Sequence, residues 1–314
     1  MMKYIVNNSQ YNEIKNNIIK TCIKENDLLN EWKEGRGYID VYKKNVERNN
    51  NKAIIFIHGG SFLEESPREE SYVFFCYMLC NLTGYDIYVP DFVLPPIKSY
   101  PAQIDDIMIL KKFIEKKYKS IIIGGDSSGG CITLSTLLKY LNEFSSGFLI
   151  SPWLNLNCNT SSYKTRSWCE NMKTGDPIFK LSPTKNAEYF INDARIYLND
   201  TNLFNNKIAN PYYATSLILS KLPPLLILVG DSETIRNDSL DFASRAQKVN
   251  KNIFVSMYDN MWHDWLLYRE NSSGKRGLDA FSYISSFCKG VKKDNLYNFD
   301  KNHIISKLNL EIIL

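Results

Sequence analysis

The chain has 314 residues, enough for one large α/β domain or two small ones around a sizeable core. Hydrophobic residues make up 44% and charged residues 23%, a balance that excludes a disordered chain. The net charge is only +4, with no lysine or arginine block, which excludes a nucleic-acid footprint.

The opening segment, MMKYIVNNSQYNEIKNNIIK, lacks the unbroken apolar run of a secretory signal, and no later run reaches bilayer length. A cytoplasmic protein without a transmembrane segment is expected. Tyr11, Ile14, Ile18 and Cys22 recur at helical spacing, so residues 1–36 are expected to form a helical segment before any strand. The seven cysteines stand mostly alone and are odd in number. Their spacing suits neither a disulfide framework nor a zinc site, so core packing in a reducing compartment is expected, with no metal.

From about residue 38, apolar β-branched runs alternate with helical patterns. The runs YIDVYKK, KAIIFIHGG, YDIYVPDF, SIIIGGD, SGFLISPW, PPLLILVGD and NIFVSMYD read as strands. Four are nearly continuous in apolar residues, as in strands buried on both faces of a parallel sheet. Helical stripes fall between them, at Ile107, Leu110 and Ile114, then at Leu134, Leu137, Leu138 and Leu141. A third runs through Leu278, Phe281, Ile284 and Cys288. Alternation of this kind predicts an α/β fold, a mostly parallel doubly wound sheet with helices on both faces. Residues 156–212 interrupt the alternation with a polar stretch rich in Asn, Ser, Tyr and Lys, and a connection that long is usually functional. The core is expected over 37–155 and 213–290, with 291–314 as a tail.

The stretch GGDSSGG carries the first chemical signal. Gly125-Asp126-Ser127-Ser128-Gly129 fits Gly-x-Ser-x-Gly, with a strand before it and a helix from about 128. Small residues there permit the sharp strand-to-helix turn that lifts a serine oxygen above the sheet. Ser127 is the candidate nucleophile, and Ser128 offers a backbone N–H at the helix start. A serine needs a base, usually a histidine oriented by a carboxylate. The chain has three histidines. His303 lies in the tail and His58 precedes the serine, whereas His263, in YDNMWHDW, follows the last strand. The loop GDSETIRND between them offers Asp231, Glu233 and Asp238, and position alone does not separate these. The HGGSF stretch places Gly59 and Gly60 after a buried strand, where backbone N–H groups can meet a developing oxyanion.

Together these residues resemble the hormone-sensitive-lipase-like branch of the α/β-hydrolases, whose members carry His-Gly-Gly-Gly and Gly-Asp-Ser-Ala-Gly-Gly. The resemblance runs from about Ala53 to Trp265 and includes VPDFVLPP, SPW and MWHDW. It implies an α/β-hydrolase fold with a helical cap, built here from 1–36 and 156–212. It implies Ser127 as nucleophile, His263 as base and Glu233 as acid, the last by its place three residues after Gly230. Gly59, Gly60 and the Ser128 N–H match the oxyanion hole. Ser61 replaces the third glycine, Ser128 the usual alanine and Trp265 the usual phenylalanine, so acyl size is the property these changes touch. Ser61, Phe62, Trp153 and Trp262 are expected as pocket walls. The expected activity is cleavage of carboxylic esters of small to medium acyl chain through an acyl-enzyme, without a cofactor. Expected partners are a small-molecule ester and, in a homodimer, a second copy of the chain. The rival activities are amide or formamide hydrolysis and small-molecule binding without catalysis. Retention of His263 counts against the last.

Overall fold

The computed structural model describes residues 8–24, 38–45, 51–166, 174–179, 183–269 and 274–290; the expected tail lies outside the described residues. One sheet organises them. Its strands are β1 (Ile18–Lys24), β2 (Tyr38–Lys44), β3 (Lys52–Ile57), β4 (Asp86–Pro90), β5 (Ser120–Asp126), β6 (Ser146–Ile150), β7 (Leu225–Gly230) and β8 (Ile253–Tyr258). They lie in the order β1-β2-β4-β3-β5-β6-β7-β8. The first two pairings are antiparallel and the other five parallel. The described helices are α1 (Asn8–Asn16), α2 (Glu70–Thr83), α3 (Ala102–Ile114), α4 (Ser127–Lys139), α5 (Ser162–Thr165), α6 (Pro183–Leu198), α7 (Ser216–Leu219), α8 (Arg236–Ala246) and α9 (Lys275–Lys289).

Side chains along the parallel strands alternate between two cores. In β3, Ala53, Ile55 and Ile57 enter one core and Ile54 and Phe56 the other. In β7, Leu225, Ile227 and Val229 stand opposite Leu226 and Leu228 in the same way. Ile107 of α3, Leu134 of α4 and Phe242 of α8 cover the first face; Ile14 of α1, Phe75 of α2 and Phe281 of α9 cover the second. Double coverage is why these strands are apolar throughout rather than at every second residue. Each buried Leu, Ile or Phe stabilises the fold by roughly 1.5–3 kcal/mol.

The N-terminal segment departs from its expected form. Helix α1 ends at Asn16, and Ile18 and Cys22 belong to β1, an edge strand paired with β2 from Ile18 opposite Lys44 to Lys24 opposite Tyr38. The stretch IIKTCIK is rich in β-branched residues, and seven paired positions outweigh its helical spacing. Lys20 reaches across to the buried Asp40 at 2.8 Å. The described part of this segment therefore extends the sheet.

The insertion at 156–212 also contributes to the main core. Phe190, Ala194, Tyr197 and Leu198 of α6 are buried there. Phe62 stacks on Tyr197 with ring centroids 3.9 Å apart, and Trp153 meets Phe190 edge-on at 4.9 Å. The parallel strands all end on one edge of the sheet, which gathers the loops after β3, β5, β7 and β8 on one side.

Candidate active site

Ser127 opens α4 directly after β5, and its φ of +48° lies in the left-handed region. For a residue with a side chain that conformation costs about 1–3 kcal/mol and persists only where its surroundings impose it. Gly125 shows how: a Cβ there would come within 2.6 Å of the Gly129 carbonyl oxygen. The turn thus closes only with a bare backbone at that position. Ser128 follows at the helix start, where the backbone N–H has no intrahelical acceptor.

Ser127 Oγ lies 2.9 Å from His263 Nε2. His263 comes from the loop after β8 and is buried. Its Nε2 also lies 3.0 Å from Asp264 Oδ2. Burial, with the carboxylates of Glu65 and Asp176 nearby, pushes the Asp264 carboxyl well above the usual range and biases it to its neutral form.

Glu233 follows β7 and is fully buried. Its Oε1 accepts from the Ser151 hydroxyl at 2.6 Å and from the Gly230 N–H at 2.5 Å. Its Oε2 has no hydrogen-bond partner among the described residues, and neither has His263 Nδ1. Burial pushes the Glu233 carboxyl well up; attraction to His263 and the bonds from Ser151 and Gly230 pull it back. The other two carboxylates of this loop are engaged elsewhere. Asp231 accepts from the Asn260 N–H and the Ser232 hydroxyl, and Asp238 holds Asn155 together with Thr160 and Tyr163 of the insertion.

The loop after β3 turns through three left-handed residues, Gly60, Ser61 and Phe62. At Gly60, with φ +96°, a Cβ would meet the Glu64 carbonyl oxygen at 2.2 Å, so only glycine fits. The Gly59 N–H donates to the Tyr72 hydroxyl at 2.9 Å, which removes it from the set of free donors. The N–H groups of Gly60 and Ser61 have no acceptor among the described residues. The Phe62 N–H donates to Ser128 Oγ at 3.1 Å, tying this loop to the start of α4. His58 is buried and stacked on Phe92, and its Nδ1 lies 3.0 Å from the Gly59 carbonyl oxygen.

A cleft of about 360 Å³ opens over Ser127 and His263. Gly60 and Ser61 form part of its wall. Phe62, Trp153 and Trp262, expected as walls, are not among its described lining residues. Phe62 and Trp153 are fully buried core side chains, packed against Tyr197 and Phe190 of α6. Trp262 packs on the second core. The wall instead includes Ile178, Phe179 and Tyr189 of the insertion, Tyr268, and the carboxylates Glu64, Glu65 and Asp264. Sequence reasoning gave no role to Ser151 and did not single out Asp176. Ser151 had a signal in its SPW stretch; Asp176, inside a polar insertion, had none.

Among the described residues no helix is long and apolar enough to cross a membrane. A profile of the alpha/beta hydrolase fold matches residues 54–267. The chain is 23% identical to an acetyl-hydrolase of Streptomyces hygroscopicus, over 74% of this chain and 75% of that one. It is 26% identical to an esterase of Acinetobacter venetianus, over 77% and 76%. Among solved structures, an esterase from the bacterial hormone-sensitive lipase family superposes with a TM-score of 0.70 at 22% identity, covering 89% of this chain and 88% of that one. The chain belongs to the alpha/beta hydrolase fold family, and within it resembles the hormone-sensitive-lipase-like branch.

Proposed function

We propose that the protein is a serine hydrolase that cleaves carboxylic esters of small to medium acyl chain through an acyl-enzyme. The observation that carries this reading is the 2.9 Å contact between Ser127 Oγ and His263 Nε2 at a strained strand-to-helix turn. Ser127 Oγ attacks the ester carbonyl as its proton passes to Nε2. The C–O bond to the alcohol then breaks, and the imidazolium returns the proton to the leaving oxygen. Water, deprotonated by the same nitrogen, cleaves the acyl-enzyme.

Glu233 orients the ring and favours its charged form. The two atoms this role would pair, Glu233 Oε2 and His263 Nδ1, are both buried and otherwise unpartnered among the described residues, which supports the assignment. The tetrahedral oxygen is held by the N–H groups of Gly60, Ser61 and Ser128. Ser61 takes the place expected of Gly59, since Gly59 already serves Tyr72. Removing one such donor lowers turnover by roughly 100- to 1,000-fold in a hydrolase of another fold.

The acetyl-hydrolase and esterase relatives support ester rather than amide cleavage. The free, buried thiols of Cys76, Cys80, Cys131, Cys158 and Cys288 suit a reducing, cytoplasmic setting. Hydrolysis of p-nitrophenyl butyrate by the wild type, and its loss in Ser127→Ala, tests the reading; a folded wild type inert to every soluble ester would refute it.

A further inference from the structure

Asp176 lies in the insertion, far in sequence from both the acid and the base, yet its side chain is fully buried beside them. Its Oδ2 accepts from the Thr234 N–H at 2.9 Å, the residue next to Glu233. Its Oδ1 accepts from the Ile178 N–H at 3.2 Å, and its own N–H donates to the Arg166 carbonyl at 2.9 Å. Burial pushes the Asp176 carboxyl up, and attraction to His263 pulls it back. Three residues on, Phe179 packs against the imidazole with ring centroids 5.1 Å apart.

A buried carboxylate is costly unless several donors satisfy it. Here the donors are the Thr234 N–H of the acid turn and the Ile178 N–H of the insertion's own chain, and Phe179 of the same segment packs on the His263 imidazole. We propose that Asp176 is a positioning residue of the reaction, spanning the acid turn and the histidine loop so that Glu233 and His263 stay in register. On this account, which rests on the hydrolase reading above, the insertion completes the catalytic apparatus as well as walling the cleft.

Asp176→Asn keeps the volume but sets an NH₂ donor against backbone N–H groups. With p-nitrophenyl butyrate its kcat falls about 100-fold, the effect of a displacement of about 1 Å, while KM stays within about threefold. Nitrogen-correlated NMR of the imidazoles reads the same geometry without turnover. The chain has three histidines, and Asp176→Asn moves the His263 ring signals but not those of His58. Thr160→Val serves as the structural control: it removes a buried bond from the same insertion to Asp238 of α8, and among the described residues Thr160 bonds to neither Glu233 nor His263. It lowers the melting temperature and leaves kcat within about twofold. If Asn at 176 prevents folding, Asp176→Glu keeps the charge, shifts the carboxylate by one methylene, and is expected to show the same kcat loss and ring shift.

An Asp176 variant with wild-type kcat and unmoved His263 signals, whatever its melting temperature, would overturn the proposal. A wild type that turns over no ester overturns the hydrolase reading instead, and the ring signals still decide on Asp176.

Discussion

Ser151 Oγ donates to Glu233 Oε1 at 2.6 Å and accepts from the Asp264 N–H at 3.1 Å, so one hydroxyl joins the acid turn to the residue beside His263. Ser151 is itself fully buried and left-handed, with φ +44°. Its strain is maintained by the two bonds it makes.

Ser151→Ala removes a donor to one loop and an acceptor from the other. Stranding a buried N–H costs about 1–3 kcal/mol, so the melting temperature falls. With Glu233 no longer held, kcat/KM for a short ester falls on the order of 10- to 100-fold. Steady-state kinetics with p-nitrophenyl butyrate check this; undiminished kcat/KM would mean that Glu233 is held without Ser151.

The three carboxylates after β7 separate by their partners. Glu233→Gln is expected to lower kcat by about 10³- to 10⁴-fold, as loss of the orienting carboxylate does in triads. Asp231→Asn and Asp238→Asn, whose bonds go to a turn and to the insertion, should lower it far less. Comparing kcat across the three variants checks the assignment, and a crippled Asp231→Asn would overturn it.

Much of the candidate site was legible in the sequence because it is local. The Gly-x-Ser-x-Gly frame needs only five residues and a strand before it, and His263 is the one histidine after Ser127 and ahead of the tail. The seven strands from β2 to β8 were legible because both faces of the sheet are covered there, which writes apolar runs into the chain. β1 was not, because Ile18 and Cys22 fit a helical stripe as well as a strand, and only pairing with β2 decides. Phe62 and Trp153 read equally as pocket or core, since an aromatic residue serves both; Tyr197 and Phe190, more than thirty residues away in sequence, made them core. Tyr72 took the Gly59 N–H by a contact that no motif records. Asp176 is defined wholly by long-range hydrogen bonds.

Buried carboxylates also set a pH dependence of stability. Burial pushes Asp238 up to about 7, against the pull of Thr160, Asn155 and Tyr163. In the unfolded chain an aspartate titrates at about 3.9. The folded state thus binds the proton more tightly. Below about pH 4 both states are protonated and nothing is lost; between about 4 and 7 the unfolded state ionises first and stability falls, then levels off. Asp238→Asn cannot ionise, so its melting temperature should fall less over that window than that of the wild type. Equal slopes in thermal melts would contradict this.

On the proposed reading, the cleft sets the acyl preference. At about 360 Å³, walled by Ser61, Phe179 and Tyr189, it suits short and medium acyl chains. Glu64 and Glu65 line the same space, so an acyl chain ending in a carboxylate meets repulsion, and a hemisuccinate ester should react at least about tenfold more slowly than a butyrate. Faster cleavage of emulsified long-chain lipid than of soluble butyrate would contradict the fit.

The central claim is that Ser127 is a nucleophile activated by His263. Its most direct measurement is labelling with a fluorophosphonate probe, followed by peptide mapping, in the wild type, Ser128→Ala and His263→Ala. The adduct is expected on Ser127 in the wild type. Labelling should persist in Ser128→Ala, which keeps its backbone N–H but loses the bond from Phe62, and should be lost in His263→Ala. An adduct on Ser128, or a folded wild type that takes no label, would contradict the account.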